Sequence, residues 1–192
     1  MQNEFDVWCK SSHPNIMKVR AMFKDAKNYY IVSEFMPNGD LFDFIFEKKL
    51  CVANGTITEL QVAAIARQIF EALNYMHMQK IIHRDIKPDN ILLCSKDIVN
   101  PKIKLTDFGF AKEFNPDVKL RDWLGTPEYM APEIIADKGY GRRVDIWAAG
   151  LIIWELFQGE RLFDATGKSD KQFEKEIMKG KTIDFTKLKA SK

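Results

Sequence analysis

The stretch His83-Arg84-Asp85-Ile86-Lys87-Pro88-Asp89-Asn90 gathers a carboxylate, an ammonium and a carboxamide between Asp85 and Asn90. Those groups together suit one chemistry. Phosphoryl transfer to a hydroxyl needs a carboxylate to orient that hydroxyl and accept its proton, oxygen ligands for magnesium, and a cation near the transferring phosphate. Asp85, Asn90 and Lys87 supply the three. Seventeen residues after Asn90 stands Asp107-Phe108-Gly109, with a further carboxylate. Alone that tripeptide could be any loop; following the first element it is a specific signal.

Two more elements follow in order, Gly125-Thr126-Pro127-Glu128-Tyr129-Met130-Ala131-Pro132-Glu133 and Asp145-Ile146-Trp147-Ala148-Ala149-Gly150. Four ordered elements at these spacings resemble the eukaryotic protein kinase family, over nearly the whole chain. The resemblance implies that Asp85 is the catalytic carboxylate, Lys87 the lysine that stabilises the γ-phosphate of ATP, and Asn90 and Asp107 the magnesium ligands. Lys87-Pro88 with Gly125-Thr126 resembles the serine/threonine form of the signature, in which Thr126 would hydrogen-bond near Asp85 and Lys87. Ser33 falls at the gatekeeper position. Glu34, Phe35 and Met36 match the hinge whose backbone meets the adenine, Leu92 the apolar residue beneath it, and Asp40 belongs to the same nucleotide site. His83, Phe108, Val19 and Trp8 match a regulatory hydrophobic stack.

Glu4, nine residues before His13, matches the small-lobe helix glutamate that pairs with a lysine on the third strand of the family. That lysine and the phosphate-covering Gly-rich loop have no counterpart in this sequence, nor does the arginine that normally pairs with Glu133. The expectation is a kinase domain cut at both ends. Residues 1–36 would be a partial small lobe and hinge, and 37–192 a large lobe lacking its last helices.

Between Asp107 and Glu133 the only hydroxyl residues are Thr126 and Tyr129. Four residues before Thr126, where many kinases carry an activating phosphothreonine, stands Asp122. Arg84 and Lys112 match the basic pocket for that phosphate, so Asp122 would supply part of its charge permanently. An acid here, and the long turn Cys94 to Pro101, resemble the calcium-dependent protein kinases. Asp107-Phe108-Gly109-Phe110-Ala111-Lys112 is similar to the cyclic-AMP-dependent kinase. The calmodulin-kinase-like group is the reading adopted. No EF-hand loop is present, so any calcium control would lie in a regulatory domain outside this sequence. Asp40, Asp89 and Glu155 match family positions that receive arginines before the substrate serine or threonine, which implies basic protein substrates.

The elements that must position these residues are legible from patterning. Residues 28–35 are β-branched and aromatic and read as a strand, with 17–23 as its antiparallel neighbour. Pro37-Asn38-Gly39 breaks the pattern, and 40–48 reads as a short helix. Thr58-Glu59-Leu60-Gln61 is a capping box, and the helix after it places Val62, Ile65, Ile69, Leu73 and Met76 on one face. Residues 91–93 and 102–106 read as two short strands. Residues 144–157 are apolar nearly all round, which predicts a helix buried in the domain centre. Ser169-Asp170-Lys171-Gln172 opens a last amphipathic helix. Strands first and then mostly helices predict an α+β, protein-kinase-like fold, mostly the helical large lobe with a remnant of the small one.

The chain has 192 residues, enough for one domain, and 46% of them are hydrophobic. Its 29 basic and 27 acidic residues give a net charge of +2, too balanced to imply nucleic acid or a membrane surface as partner. The longest charge-free apolar run, Ile146 to Trp154, is far short of the ~20 residues a spanning helix needs. Cys9, Cys51 and Cys94 share no metal-ligand spacing and read as reduced thiols of a cytoplasmic protein. Two other functions stay open at this point. One is an inactive kinase relic acting as a binding or regulatory module. The other is a small-molecule phosphotransferase of the aminoglycoside-kinase type, against which the peptide-platform segment Gly125 to Glu133 argues.

Overall fold

The computed structural model describes Trp8 and residues 11–181. Glu4 and Cys9 lie outside the described residues. The order of elements is strands and then mostly helices, the expected α+β arrangement.

The first hairpin pairs β1 (Val19–Lys24) with β2 (Tyr29–Ser33), antiparallel, with a bulge between Val19 and Ala21. Asp25 shapes its turn: Oδ1 accepts the Lys27 and Asn28 N–H groups, each at 2.7 Å. The hairpin is tied to the larger body through main chain. The Met17 N–H donates to the Leu105 carbonyl and the Leu105 N–H to the Asn15 carbonyl, both at 2.8 Å. Trp8 Nε1 donates to the Met17 carbonyl at 2.8 Å.

The predicted short helix at 40–48 is present and is wound as a π-helix over Asp43–Glu47, closed by the Lys48 N–H on the Asp43 carbonyl at 2.9 Å. Its first turn is started by Asp40, whose Oδ1 accepts the Asp43 N–H at 2.9 Å. It buries Leu41, Phe44 and Ile45, which at i, i+3 and i+4 share one face.

Helix α1 (Glu59–Met78) opens with the predicted capping box. The Gln61 N–H donates to Thr58 Oγ1 at 3.3 Å, and the Thr58 N–H to Gln61 Oε1 at 2.6 Å. Val62, Ile65, Ile69, Leu73 and Met76 are all buried, as the spacing predicts. Four short strands follow: β3 (Ile81–Ile82), β4 (Ile91–Leu93), β5 (Ile103–Leu105) and β6 (Lys112–Glu113). β3 pairs with β6 and β4 with β5, so the catalytic-loop candidate is strung between two small antiparallel ladders. Then come α2 (Pro132–Ile135), α3 (Arg143–Gln158) and α4 (Asp170–Lys179), the last opening on the predicted box of Ser169 and Gln172.

Helix α3 packs against α1 at the centre of the core. It is not buried all round, as its composition suggested. Val144, Ala148, Leu151, Ile152 and Leu156 are buried, but Ile146 lies off that face and is 43% exposed. Its C-terminal carbonyls are closed by a neighbouring loop. The Val52 and Ala53 N–H groups donate to the Leu156 and Phe157 carbonyls at 3.1 and 2.8 Å, and the Gly159 N–H donates to the Glu155 carbonyl at 2.7 Å. Cys51 and Cys94 are free thiols. Among the described residues no helix is long and apolar enough to cross a membrane.

Gly159 ends α3 at φ +73°, and a Cβ there would stand 2.8 Å from Cys51 Sγ. Gly159→Ala therefore meets both left-handed strain and a clash, and is expected to destabilise by at least ~1–2 kcal/mol. A lowered urea midpoint at unchanged slope is the readout; an unchanged midpoint contradicts this account of the helix end.

Candidate active site

Arg84 takes a left-handed backbone, φ +71°, which L-residues avoid. A buried carboxylate holds it there. Asp145, in the first turn of α3, is 1% exposed. Its Oδ1 accepts the Arg84 N–H at 2.9 Å, and its Oδ2 accepts the His83 N–H at 3.1 Å and meets His77 Nε2 at 2.7 Å. Three partners compensate the removal of this carboxylate from water. Sequence reasoning found Asp145 only as part of a motif and missed His77. Their signals were an acid in the first turn of an otherwise apolar helix, and a histidine in the last turn of α1.

The loop so shaped delivers Asp85, which is 6% exposed. Asp85 Oδ1 accepts from the Thr126 hydroxyl at 2.8 Å and from the Thr126 N–H at 3.0 Å. Its Oδ2 faces Lys87 Nζ at 3.2 Å and Asn90 Nδ2 at 3.1 Å. Lys87 Nζ also donates to Thr126 Oγ1 at 3.0 Å. Four of the five predicted catalytic residues thus form one hydrogen-bonded cluster. Gly125 admits this approach: at φ +113°, a Cβ on it would lie 2.7 Å from the Arg84 carbonyl.

Asp107, the fifth, is exposed and held near the cluster by backbone. The Thr106 N–H donates to the Asn90 carbonyl at 3.0 Å, and His83 Nε2 bonds the Thr106 carbonyl at 3.1 Å. Asp107 Oδ1 accepts the Gly109 N–H at 3.1 Å. Among the described residues no hydrogen bond joins Asp107 to Asp85 or Asn90. Asn90 directs Nδ2 at the Asp85 carbonyl and carboxylate, which leaves its amide oxygen for a ligand. A carboxylate and an amide oxygen are hard donors that fit magnesium. Phe108 is fully buried, stacked on Trp8 with centroids 5.0 Å apart and tilted against His83 at 5.2 Å. Val19 packs on the same core.

Among the residues expected to line the nucleotide site and hinge, Met36 and Leu92 are half-buried against the core, while Phe35 is 86% exposed. Ser33 Oγ donates to the Glu34 carbonyl at 3.2 Å. Glu34 braces this region. Burial works against its charge, but Lys104 Nζ at 2.5 Å and the Lys18 N–H at 2.8 Å outweigh that and hold its carboxyl below the usual range. Asp40 and Leu92 meet through a backbone bridge.

Arg84, Lys112 and Asp122, the residues expected to form the activation-segment pocket, lie together. Asp122 Oδ2 accepts from Arg84 Nη1 at 2.8 Å and from Lys112 Nζ at 3.3 Å. Those bonds, that of Lys112 foremost, hold the Asp122 carboxyl below its ordinary value. Arg84 Nε also donates to the Phe110 carbonyl at 2.7 Å, so one side chain links the catalytic loop to both halves of the segment.

The three expected substrate-facing acids are placed differently from one another. Asp89 is exposed, Asp40 is half-buried with Oδ1 on the Asp43 N–H, and Glu155 is 2% exposed beneath Tyr129. The Tyr129 hydroxyl donates to Glu155, its oxygen 2.9 and 3.2 Å from the two carboxylate oxygens. Burial pushes the Glu155 carboxyl up to about 8, with the Tyr129 hydrogen bond only partly offsetting it. Two charged residues that sequence reasoning passed over stand beside it, Glu128 and Arg161, paired at 3.1 Å.

The protein kinase domain family matches residues 1–191. The chain is 37% identical over 180 residues to calcium/calmodulin-dependent protein kinase type 1 of Macrobrachium nipponense, across 94% of this chain and 49% of that protein. It is 40% identical over 164 residues to serine/threonine-protein kinase TIO of Arabidopsis thaliana, across 85% of this chain and 12% of that protein. Against death-associated protein kinase 2 of Mus musculus the identity is 34% over 163 residues, 85% of this chain and 42% of that protein. The chain spans about half the length of these relatives or less.

Glu155 makes stability depend on pH. Its folded value of about 8 lies above the 4.5 of a free side chain, so between the two the folded chain keeps a proton that the unfolded chain releases. The contribution of Glu155 to stability is therefore greatest below the lower value and is lost as pH rises through the upper one, a few kcal/mol at ~1.4 kcal/mol per pKa unit. Urea unfolding of the wild type should weaken across this interval, and Glu155→Gln should flatten the dependence. Identical pH profiles for the two would remove Glu155 as the cause.

Proposed function

The chain belongs to the protein kinase domain family, and from that premise we propose that it transfers the γ-phosphate of ATP to serine or threonine hydroxyls of proteins. One observation carries this reading: Asp85, Lys87, Asn90 and Thr126 share a single bonded cluster around one buried carboxylate. Asp85 orients the substrate hydroxyl and takes its proton. With Thr126 bound on one oxygen and Lys87 beside the other, the carboxylate is fixed before substrate arrives, which spares reorganisation during the reaction. Lys87 offers its ammonium to the transferring phosphate. Thr126 ties the peptide platform to the catalytic loop, which favours a hydroxyl on a peptide over one on a small molecule.

Asn90 and Asp107 would hold magnesium, which would neutralise charge developing on the transferring phosphate. Ser33, Glu34, Met36, Leu92 and Asp40 would line the adenine and ribose end of the nucleotide site, and Glu4 would reach it from the small lobe. Residues 1–36 and 37–192 then correspond to the partial small lobe with hinge and to the large lobe. The calmodulin-kinase-like assignment and a preference for basic substrates belong to the same reading, with Asp40 and Asp89 as the accessible acids.

Phosphate transfer from ATP to a serine peptide by the native protein tests the proposal. Asp85→Asn should lower turnover by ~10²–10⁴-fold, the usual contribution of a positioned proton acceptor. No transfer by the wild type, or undiminished transfer by the variant, rejects it.

Asp122 stands in for a phosphate on the activation segment, so this segment needs no phosphorylation. Phosphatase treatment is expected to leave turnover unchanged, whereas Asp122→Ala should lower it by weakening the Arg84 and Lys112 pocket. Phosphatase sensitivity of the wild type, or full activity of Asp122→Ala, counts against this role.

A further inference from the structure

Beside the catalytic loop lies an acidic group whose counter-ion comes from the chain itself. Arg161, just after α3, places Nη1 3.1 Å from Glu128 Oε1, with the two side chains 29% and 18% exposed. Its guanidinium carbon stands 5.7 Å from the centre of the Phe46 ring and 6.0 Å from that of Phe42. A guanidinium with a carboxylate at its edge and aromatic rings against it is held by charge, hydrogen bonding and cation–π attraction together. Partial burial keeps solvent and salt from screening the pair as they would at the surface. Arg161, Asp89 and Glu128 all act on the ionisation of Glu155, so the four groups form one electrostatic cluster.

This cluster adjoins the reacting groups on two sides. Asp89 immediately precedes Asn90, and Glu128 lies two residues after Thr126. A basic peptide lying across Asp85 would pass these acids.

We propose that Arg161 is a built-in occupant of an arginine-binding site next to the catalytic loop, and that it sets substrate specificity by keeping a peptide's own arginine out of that site. The inference rests on the peptide-phosphorylating reading above. A substrate arginine gains little there, because Glu128 is already paired and the two phenyl rings are already covered. Removing the guanidinium frees both, and the acids then select for arginine in the peptide.

The test uses the whole chain and a fluorescent serine peptide in which one arginine is walked through the positions before the serine, against the same peptide with alanine. Fluorescence anisotropy gives the ratio of the two dissociation constants at each position. At the position whose arginine would meet Glu128, the native chain should discriminate by less than ~3-fold, as for a peptide charge that meets an acid already paired, while positions facing Asp40 or Asp89 keep their own preference. Arg161→Met keeps an unbranched side chain on Phe42 and Phe46 but has no charge, and should raise the preference at one position by ~10-fold, the worth of one charge-assisted pair. Arg161→Lys keeps the charge without the planar fork and should move the ratio in the same direction by less. If Arg161→Met does not fold, Arg161→Lys decides alone. A ratio unchanged from the native chain, or no binding of either peptide, overturns the proposal. Phosphate transfer is read separately: its absence with every peptide rejects the kinase reading, whereas transfer with an unmoved binding ratio rejects only the role of Arg161.

Discussion

The Asp145 carboxylate is the constraint on which the site depends. An ionisable group at 1% exposure is tolerated only with full pairing, and its partners are the His83 and Arg84 amides and the His77 ring. Those bonds keep Arg84 in a backbone conformation it would otherwise leave. The same turn aims Asp85 at Thr126 and aims the Arg84 side chain at Asp122. One buried acid on the central helix therefore sets both the Asp85 carboxylate and the Arg84 side chain that meets Asp122.

Around Asp85 the geometry divides labour between two oxygens. Thr126 occupies one from the peptide platform, while Lys87 and Asn90 meet the other from within the loop. A second buried acid, Glu155, is treated differently. It has a hydroxyl rather than a cation as its nearest partner, and burial keeps its proton on. Asp85 is thus surrounded by donors on both oxygens, whereas Glu155 sits against a single hydroxyl in the core.

Much of this was legible in the sequence because it is written locally. The boxes at Thr58 and Ser169, the buried face of α1, and the catalytic tetrad all depend on residues a few positions apart or on spacings that a family keeps. The clustering of Arg84, Lys112 and Asp122 was also foreseen, through the resemblance. What escaped notice depends on pairing across the fold. Asp145 meets residues 61 to 68 positions away, and Arg161 meets Glu128 across 33. No periodicity encodes such pairs. The short helix at 40–48 was legible as a helix, but its π-helical winding over Asp43–Glu47 was not, since that depends on the Lys48 N–H reaching the Asp43 carbonyl. The composition of 144–157 overstated burial, since it cannot tell which face a neighbouring helix will cover.

The long separation between Asp145 and the loop it shapes has a consequence for biosynthesis. His83 precedes Asp145 by 62 residues. At ~5–20 residues per second, a ribosome makes the catalytic loop ~3–12 s before it makes the acceptor of that loop's amides. Throughout that interval nothing compensates the left-handed turn at Arg84, and Asp85 has no fixed direction. In the nascent chain the Asp85–Asn90 segment therefore precedes the acid that shapes it, and the turn at Arg84 gains its bonds only when the first turn of the central helix has been translated and docked.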